Sequence, residues 1–219
     1  MAIELGHFAL ILAFAIATLS ALVGFAFWRS EGRIALYARQ AAVLQFVLVA
    51  AAFAALIHAF VTSDFSLLLA YEHSHSLQPL IYKVTSVWGS HEGSMVLWIS
   101  ILVAFGAAVA VFGRQLPGDL LTLVLATQSL LVSAFAGFTL FTSNPFARLN
   151  PAPLEGQDLN PVLQDIGLAI HPPLLYTGYV GFSICFSFAV AALISGRIDA
   201  AWARWVRPWT LLSWCFLTL

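Results

Sequence analysis

Six apolar runs alternate with polar stretches along this chain, at 6–28, 41–61, 94–112, 120–141, 174–194 and 208–219. Each of the first five approaches the ~20 residues that carry an α-helix across a bilayer. The sixth, at ~1.5 Å per residue, covers only about 18 Å of a hydrocarbon core roughly 30 Å thick. It ends on Phe216-Leu217-Thr218-Leu219 with no flanking charge. The pattern predicts an all-α integral membrane protein: one membrane domain over 1–219, a polytopic bundle of five complete transmembrane helices plus a truncated sixth. The short sixth run marks the chain as a fragment, or one piece of a split protein. The first run starts almost at once, lacks a basic leader and is long enough to span, so it reads as a span rather than a cleavable signal.

Charge orients the bundle. Only 9% of residues are charged and 61% are hydrophobic, against about 25% charged in a soluble domain. The net charge of −1 gives no reason to expect nucleic acid as a partner. Arg29, Arg33, Arg39, Arg114, Arg197, Arg204 and Arg207 fall on one side if the N-terminus is outside, leaving Lys83 and Arg148 on the other. The positive-inside rule then places the loops 62–93 and 142–171 in the outer, periplasm-like compartment. Trp202, Trp205 and Trp209 accompany the inner arginines, as an interfacial aromatic belt does. Both outer loops exceed the ~12–15 residues above which loops are usually functional. They hold His73, His75, His91 and His171 and most of the acids. Cys185 and Cys215, in separate apolar runs without a Cys-x-x-Cys, read as small buried hydrophobes.

His171-Pro172-Pro173 ends the second outer loop and opens the fifth span. A residue before proline is pushed out of the helical region, and proline suits the first helical position, so His171 is expected at the helix N-cap. There its imidazole is either a cap with its free nitrogen in water or a ligand for something delivered from outside. The first loop ends in Trp88-Gly-Ser-His-Glu-Gly-Ser-Met-Val-Leu-Trp98. Ser90 or Ser94 is placed to cap the third span, Glu92 suits its positive end, and Trp88 and Trp98 suit interfacial anchors. The two Asn-Pro steps of the second loop predict turns followed by short docked segments. Arg148 is placed to meet a carboxylate, a haem propionate being one candidate and Glu155, Asp158 or Asp165 the preferred internal ones. His73 and His75 can share a strand face as a metal pair, though a solvated loop is the simpler reading. His58, a turn inside the second span, is suited to bond a neighbouring helix. The spans hold no deep acid pairs and only His58 as a facing histidine, which counts against ion transport and against a bis-histidine intramembrane haem built by these residues. A membrane transporter and a quinone- or haem-binding respiratory anchor are the alternatives that composition leaves open.

Three stretches together resemble the CcmF family of haem lyase subunits in bacterial cytochrome c maturation, and its NrfE branch. They are the Trp88–Trp98 segment, Phe141-Thr-Ser-Asn-Pro-Phe146, and Asp158-Leu-Asn-Pro-Val-Leu-Gln-Asp165 running on to His171-Pro-Pro-Leu-Leu-Tyr176. The resemblance implies a multi-pass protein of the bacterial inner membrane whose working face is periplasmic. It implies haem b received from a CcmE-like chaperone, held at two periplasmic histidines beside a tryptophan-rich segment, and joined by thioether bonds to apocytochrome c presented by CcmH/CcmI-like subunits. By the motif, His171 is one axial ligand of that haem iron. His91, Glu92, Trp88, Arg148, Pro172 and Tyr176 are second-tier candidates, and no catalytic residue is assigned. The tryptophan-rich segment, the second periplasmic histidine and the intramembrane haem ligands of such proteins lie outside these residues, so the remaining C-terminal portion is an implied partner for lyase activity.

Overall fold

The computed structural model describes residues 1–30 and 32–219. Among them eight α-helices follow in order: α1 (Ala2–Phe27), α2 (Arg33–Val61), α3 (Leu68–His73), α4 (Leu80–Thr85), α5 (His91–Phe112), α6 (Gly118–Thr142), α7 (Ile166–Ser195) and α8 (Ala200–Leu217). Helices α1, α2, α5, α6 and α7 are long and apolar enough to cross a membrane.

Three helices begin eight residues earlier than the hydropathy pattern predicts, with one physical reason. Apolar runs mark the stretch that tolerates lipid, whereas a helix continues into the interface wherever its ends find partners. Helix α2 starts at Arg33 rather than 41, and Arg39 in its second turn donates to the Ala110 and Gly113 carbonyls at the end of α5, the latter at 3.0 Å. Helix α7 starts at Ile166 rather than 174, and α8 at Ala200 rather than 208, each behind an aspartate N-cap. Pro208 therefore lies inside α8 instead of opening it.

Helix α6 is the centre of the bundle: residues 120–129 are all buried. It packs against α1, α5 and α7, while α2 lies on α1 and α5, and α8 lies on α7. One apolar cluster, around Leu10, Leu56, Phe60 and Ile99, fills the end near the long loops. Another, around Val109, Leu120, Leu123 and Phe188, fills the arginine-bearing end, with Trp202, Trp205 and Trp209 against it. A polar layer crosses the bundle. Gln128 Nε2 donates to the Leu102 carbonyl and to Ser183 Oγ, both at 3.0 Å, and Ser187 donates to Gln128 Oε1 at 3.0 Å. Gln45 donates to Ser129 at 3.1 Å. Lipid supplies no hydrophobic force between helices, so close packing and such bonds hold them. Large apolar side chains such as Phe8, Leu22, Phe186 and Leu193 point outward. The cysteines are less buried than expected, Cys185 half-buried beside Thr210 and Cys215 exposed, because α8 covers only part of α7.

At the other end the two long loops are folded on one another. Leu68 N–H donates to the Ala147 carbonyl, Leu149 N–H to Ser66, Gln157 N–H to Tyr71 and Asp158 N–H to Ser74, over 2.7–3.1 Å. Glu155 accepts from the Ser76 N–H at 2.9 Å and the Ser76 hydroxyl at 2.5 Å. Arg148 pairs with Glu4 at 3.3 Å and Asp64 at 3.7 Å, not with Glu155, Asp158 or Asp165. The bridge between Leu67 and Arg148 sets this segment beside the loop leaving α2, which brings Asp64 within reach.

Candidate functional site

His171 is not the N-cap of its helix. Asp165 is: its Oδ1 accepts from Gly167 N–H at 2.9 Å and Leu168 N–H at 3.1 Å, satisfying two of the free donors of the first turn. The carboxylate outcompetes an imidazole six residues on, and the proline pair lies within the helix. At 30 residues α7 is about 45 Å long, so its first turns reach well beyond a hydrocarbon core of roughly 30 Å.

The prolines leave a mark on those turns. Neither has an N–H, so the carbonyls of Leu168 and Ala169 lose their usual donors four residues on. Ala169, 4% exposed, recovers one from elsewhere: Trp88 Nε1 donates to its carbonyl at 3.0 Å. The imidazole of His171 is exposed, with no hydrogen bond or ion pair among the described residues. Pro172 and Tyr176 are half-buried.

The other motif forms the neighbouring wall. The turn Ser86–Trp88 runs into α5, which Ser90 caps by accepting from Gly93 N–H at 3.2 Å. Ser94, the alternative cap, instead donates to the Trp88 carbonyl at 2.7 Å. Trp88 stacks on Phe53 at 6.3 Å. Further down α5, Trp98 meets Phe135 at 5.2 Å, Tyr176 at 5.7 Å and Tyr179 at 5.4 Å. His91, exposed at the first position of α5, stands against Phe138 at 6.4 Å. Glu92 is half-buried in the first turn of α5, where its charge favours the helix N-terminus. The structure thus joins Trp88, Pro172, Tyr176 and the His171 turn across α5 and α7, with His91 at the rim of the same aromatic wall.

Other candidates fall elsewhere. Arg148 is held on the α1–α2 side. His73 faces the Leu69 carbonyl at 3.2 Å and His75 lies 4.0 Å from Glu155, so the pair does not converge. His58 is exposed and makes no bond to a neighbouring helix among the described residues, its ring lying on the outward face of α2. No three His, Cys, Asp or Glu side chains among the described residues cluster as a metal cage. Sequence reasoning passed over His7, which stacks on Phe146 at 5.5 Å and lies 3.3 Å from Asn144 Nδ2; nothing local links residues so far apart. It named Glu155 only as a partner for Arg148 and missed its hold on Ser76. The bonds from the Ser76 hydroxyl and the Gly156 and Ser76 amides, with His75 nearby, pull its carboxyl down to about 2.

Residues 88–219 match the family described as Cytochrome C assembly protein. The chain belongs to that family. Five membrane-length helices make this member a multi-pass membrane protein. It is 64% identical over 219 residues to the cytochrome c-type biogenesis protein CycK of Rhizobium meliloti strain 1021, covering 100% of this chain and 32% of that one. It is 46% identical over 220 residues to the cytochrome c-type biogenesis protein CcmF of Escherichia coli K12, covering 99% and 34%. The NrfE protein of Haemophilus influenzae is 42% identical over 217 residues, at 99% and 34%. A solved structure of the cytochrome c haem lyase CcmF superposes on the whole chain with a TM-score of 0.85 at 28% identity, using 34% of its own length. The chain therefore spans about a third of the length of the relatives it matches.

Proposed function

We propose that this chain is the haem-receiving part of a cytochrome c haem lyase. The observation that carries the reading is His171: an exposed imidazole without a hydrogen-bond partner, on a proline-interrupted turn at the looped end of the bundle, in a family of cytochrome c assembly proteins. A neutral imidazole is a donor for haem iron, and a ring free of other bonds fits that chemistry. The seven arginines of the opposite end favour a periplasmic position for the loops, in the bacterial inner membrane.

In this reading haem is a substrate. A periplasmic chaperone of CcmE type delivers haem b; His171 takes one axial position, and the rest of the longer family protein supplies the other. Subunits of CcmH and CcmI type bring the apocytochrome. Thioether formation adds each cysteine S–H across a haem vinyl group, sulfur to one carbon and hydrogen to the other. The chain's task is then orientation rather than proton transfer.

The test co-expresses wild type or His171→Ala with the chaperone and the remaining portion of the family protein, and records haem spectra of the purified assembly. Loss of chaperone-derived haem with assembly intact is the expected result. Unchanged haem content overturns the role of His171.

A further inference from the structure

We infer that Trp88 is a positioning residue for His171: its indole N–H supplies the hydrogen bond that Pro173 removes, and so fixes the turn that carries the imidazole. The inference rests on the ligand role proposed above for His171.

The proline pair divides α7 into a short upper segment, 166–171, and the long remainder. Across the division two successive backbone bonds are missing, because residues 172 and 173 have no N–H to offer the carbonyls at 168 and 169. The Asp165 cap stabilises the upper segment from within, since its partners are Gly167 and Leu168. It does nothing to aim that segment relative to the bundle. The bond from Trp88 to Ala169 does.

Trp88 is itself anchored outside α7. Its carbonyl accepts from Ser94 on α5 and its ring stacks on Phe53 on α2, while Val87 before it is fully buried. Below the prolines Trp98, also on α5, packs on Tyr176. The turn Ser86–Trp88 and helix α5 together therefore grip α7 on both sides of the interruption, by a hydrogen bond above and a ring contact below. This gives a physical reason for the two motifs to occur together: one makes a turn that lacks backbone bonds, and the other supplies the donor.

The obvious alternative is that Trp88 only fills space. Trp88→Phe keeps an aromatic face and removes the N–H, and Pro173→Ala restores a backbone donor for the Ala169 carbonyl. The experiment measures amide exchange at residues 169–171 in the 219-residue chain in lipid nanodiscs, for both single variants and the double. Trp88→Phe should speed exchange about tenfold, as loss of one shielded hydrogen bond does. In the Pro173→Ala background the same substitution should change it by less than about twofold, since the helix then makes the bond itself. No acceleration, or equal acceleration in both backgrounds, overturns the inference.

A second arm records haem spectra of the same variants assembled with the chaperone and the remaining portion of the family protein, the assembly that supplies the other axial ligand. Trp88→Phe should shift the Soret band and the midpoint potential, and Pro173→Ala should restore them. Identical spectra for wild type and His171→Ala overturn the ligand role instead. The exchange comparison separates that failure from failure of the clamp.

Discussion

Gly93 lies flat against the Val87 carbonyl, and a Cβ there would stand 1.5 Å from that oxygen. The oxygen belongs to the turn that presents Trp88, and Gly93 N–H is the donor that Ser90 caps. Gly93→Ala must push the turn away and break the cap. The combined cost is about 2–4 kcal/mol from backbone overpacking and cap loss. Thermal unfolding in detergent checks it, with Gly118→Ala as the control, since a Cβ there meets only Ala35 Cβ at 3.5 Å. Equal stability of the two variants would sink the argument. At this scale the sequence was partly legible. Ser90 reads as a cap because serine precedes a helical run and Glu92 follows. The rules for proline place His171 at a helix start, and two prolines seven and eight residues into a helix defeat them. The signal was present in Asp165, an aspartate followed directly by an apolar run.

Among the elements, the two long loops behave as one unit. Short backbone bonds join them, and Glu155 closes the unit on Ser76. Gly156 beside it has no room for a side chain, since a Cβ would lie 2.0 Å from the Ser74 carbonyl. The carboxyl of Glu155 titrates at about 2 in the folded chain, below its ordinary value of 4.5. A depressed carboxylate stabilises fully above its unfolded value and ceases to as pH falls through its folded one. The contact between the loops should therefore loosen from about pH 4.5 down to about 2. Limited proteolysis of residues 74–78 and 153–158 across that window checks it, and Glu155→Gln should flatten the pH dependence. A wild-type profile that is flat over that window refutes the clasp. None of this was legible beforehand. Hydropathy finds spans because lipid imposes a long uniform pattern, and the two Asn-Pro steps marked turns. Pairing between loops separated by whole helices has no local signature, which is also why the sequence pairs Arg148 with acids of its own loop while the structure pairs it with Glu4 and Asp64.

For the molecule as a whole, Gln128 bears on whether α5 and α7 keep their register. It sits on α6 with 2% exposure, donating to the Leu102 carbonyl on α5 and to Ser183 on α7, and accepting from Ser187 on α7. Gln45 by contrast makes a single side-chain bond among the described residues, to Ser129. Bonds between membrane helices are worth about 0.6 kcal/mol on average and at most about 1.7. Gln128→Leu should then cost about 2 kcal/mol and Gln45→Leu about 0.6, since leucine replaces most of the volume and removes only the polar end. Unfolding titrations in mixed micelles give both numbers. The ordering is the sharper test, because a bundle held by packing alone would give two similar values. The consequence reaches the candidate site. Helix α5 carries Trp98, and the turn that leads into it carries Trp88, to the same end where α7 carries His171, and Gln128 ties both helices to the buried centre. In Gln128→Leu the contact of Trp98 with Tyr176 should loosen, read as a change in tryptophan emission that is absent in Gln45→Leu. Unchanged emission in both variants would mean that the aromatic wall holds the two helices without help from the polar layer.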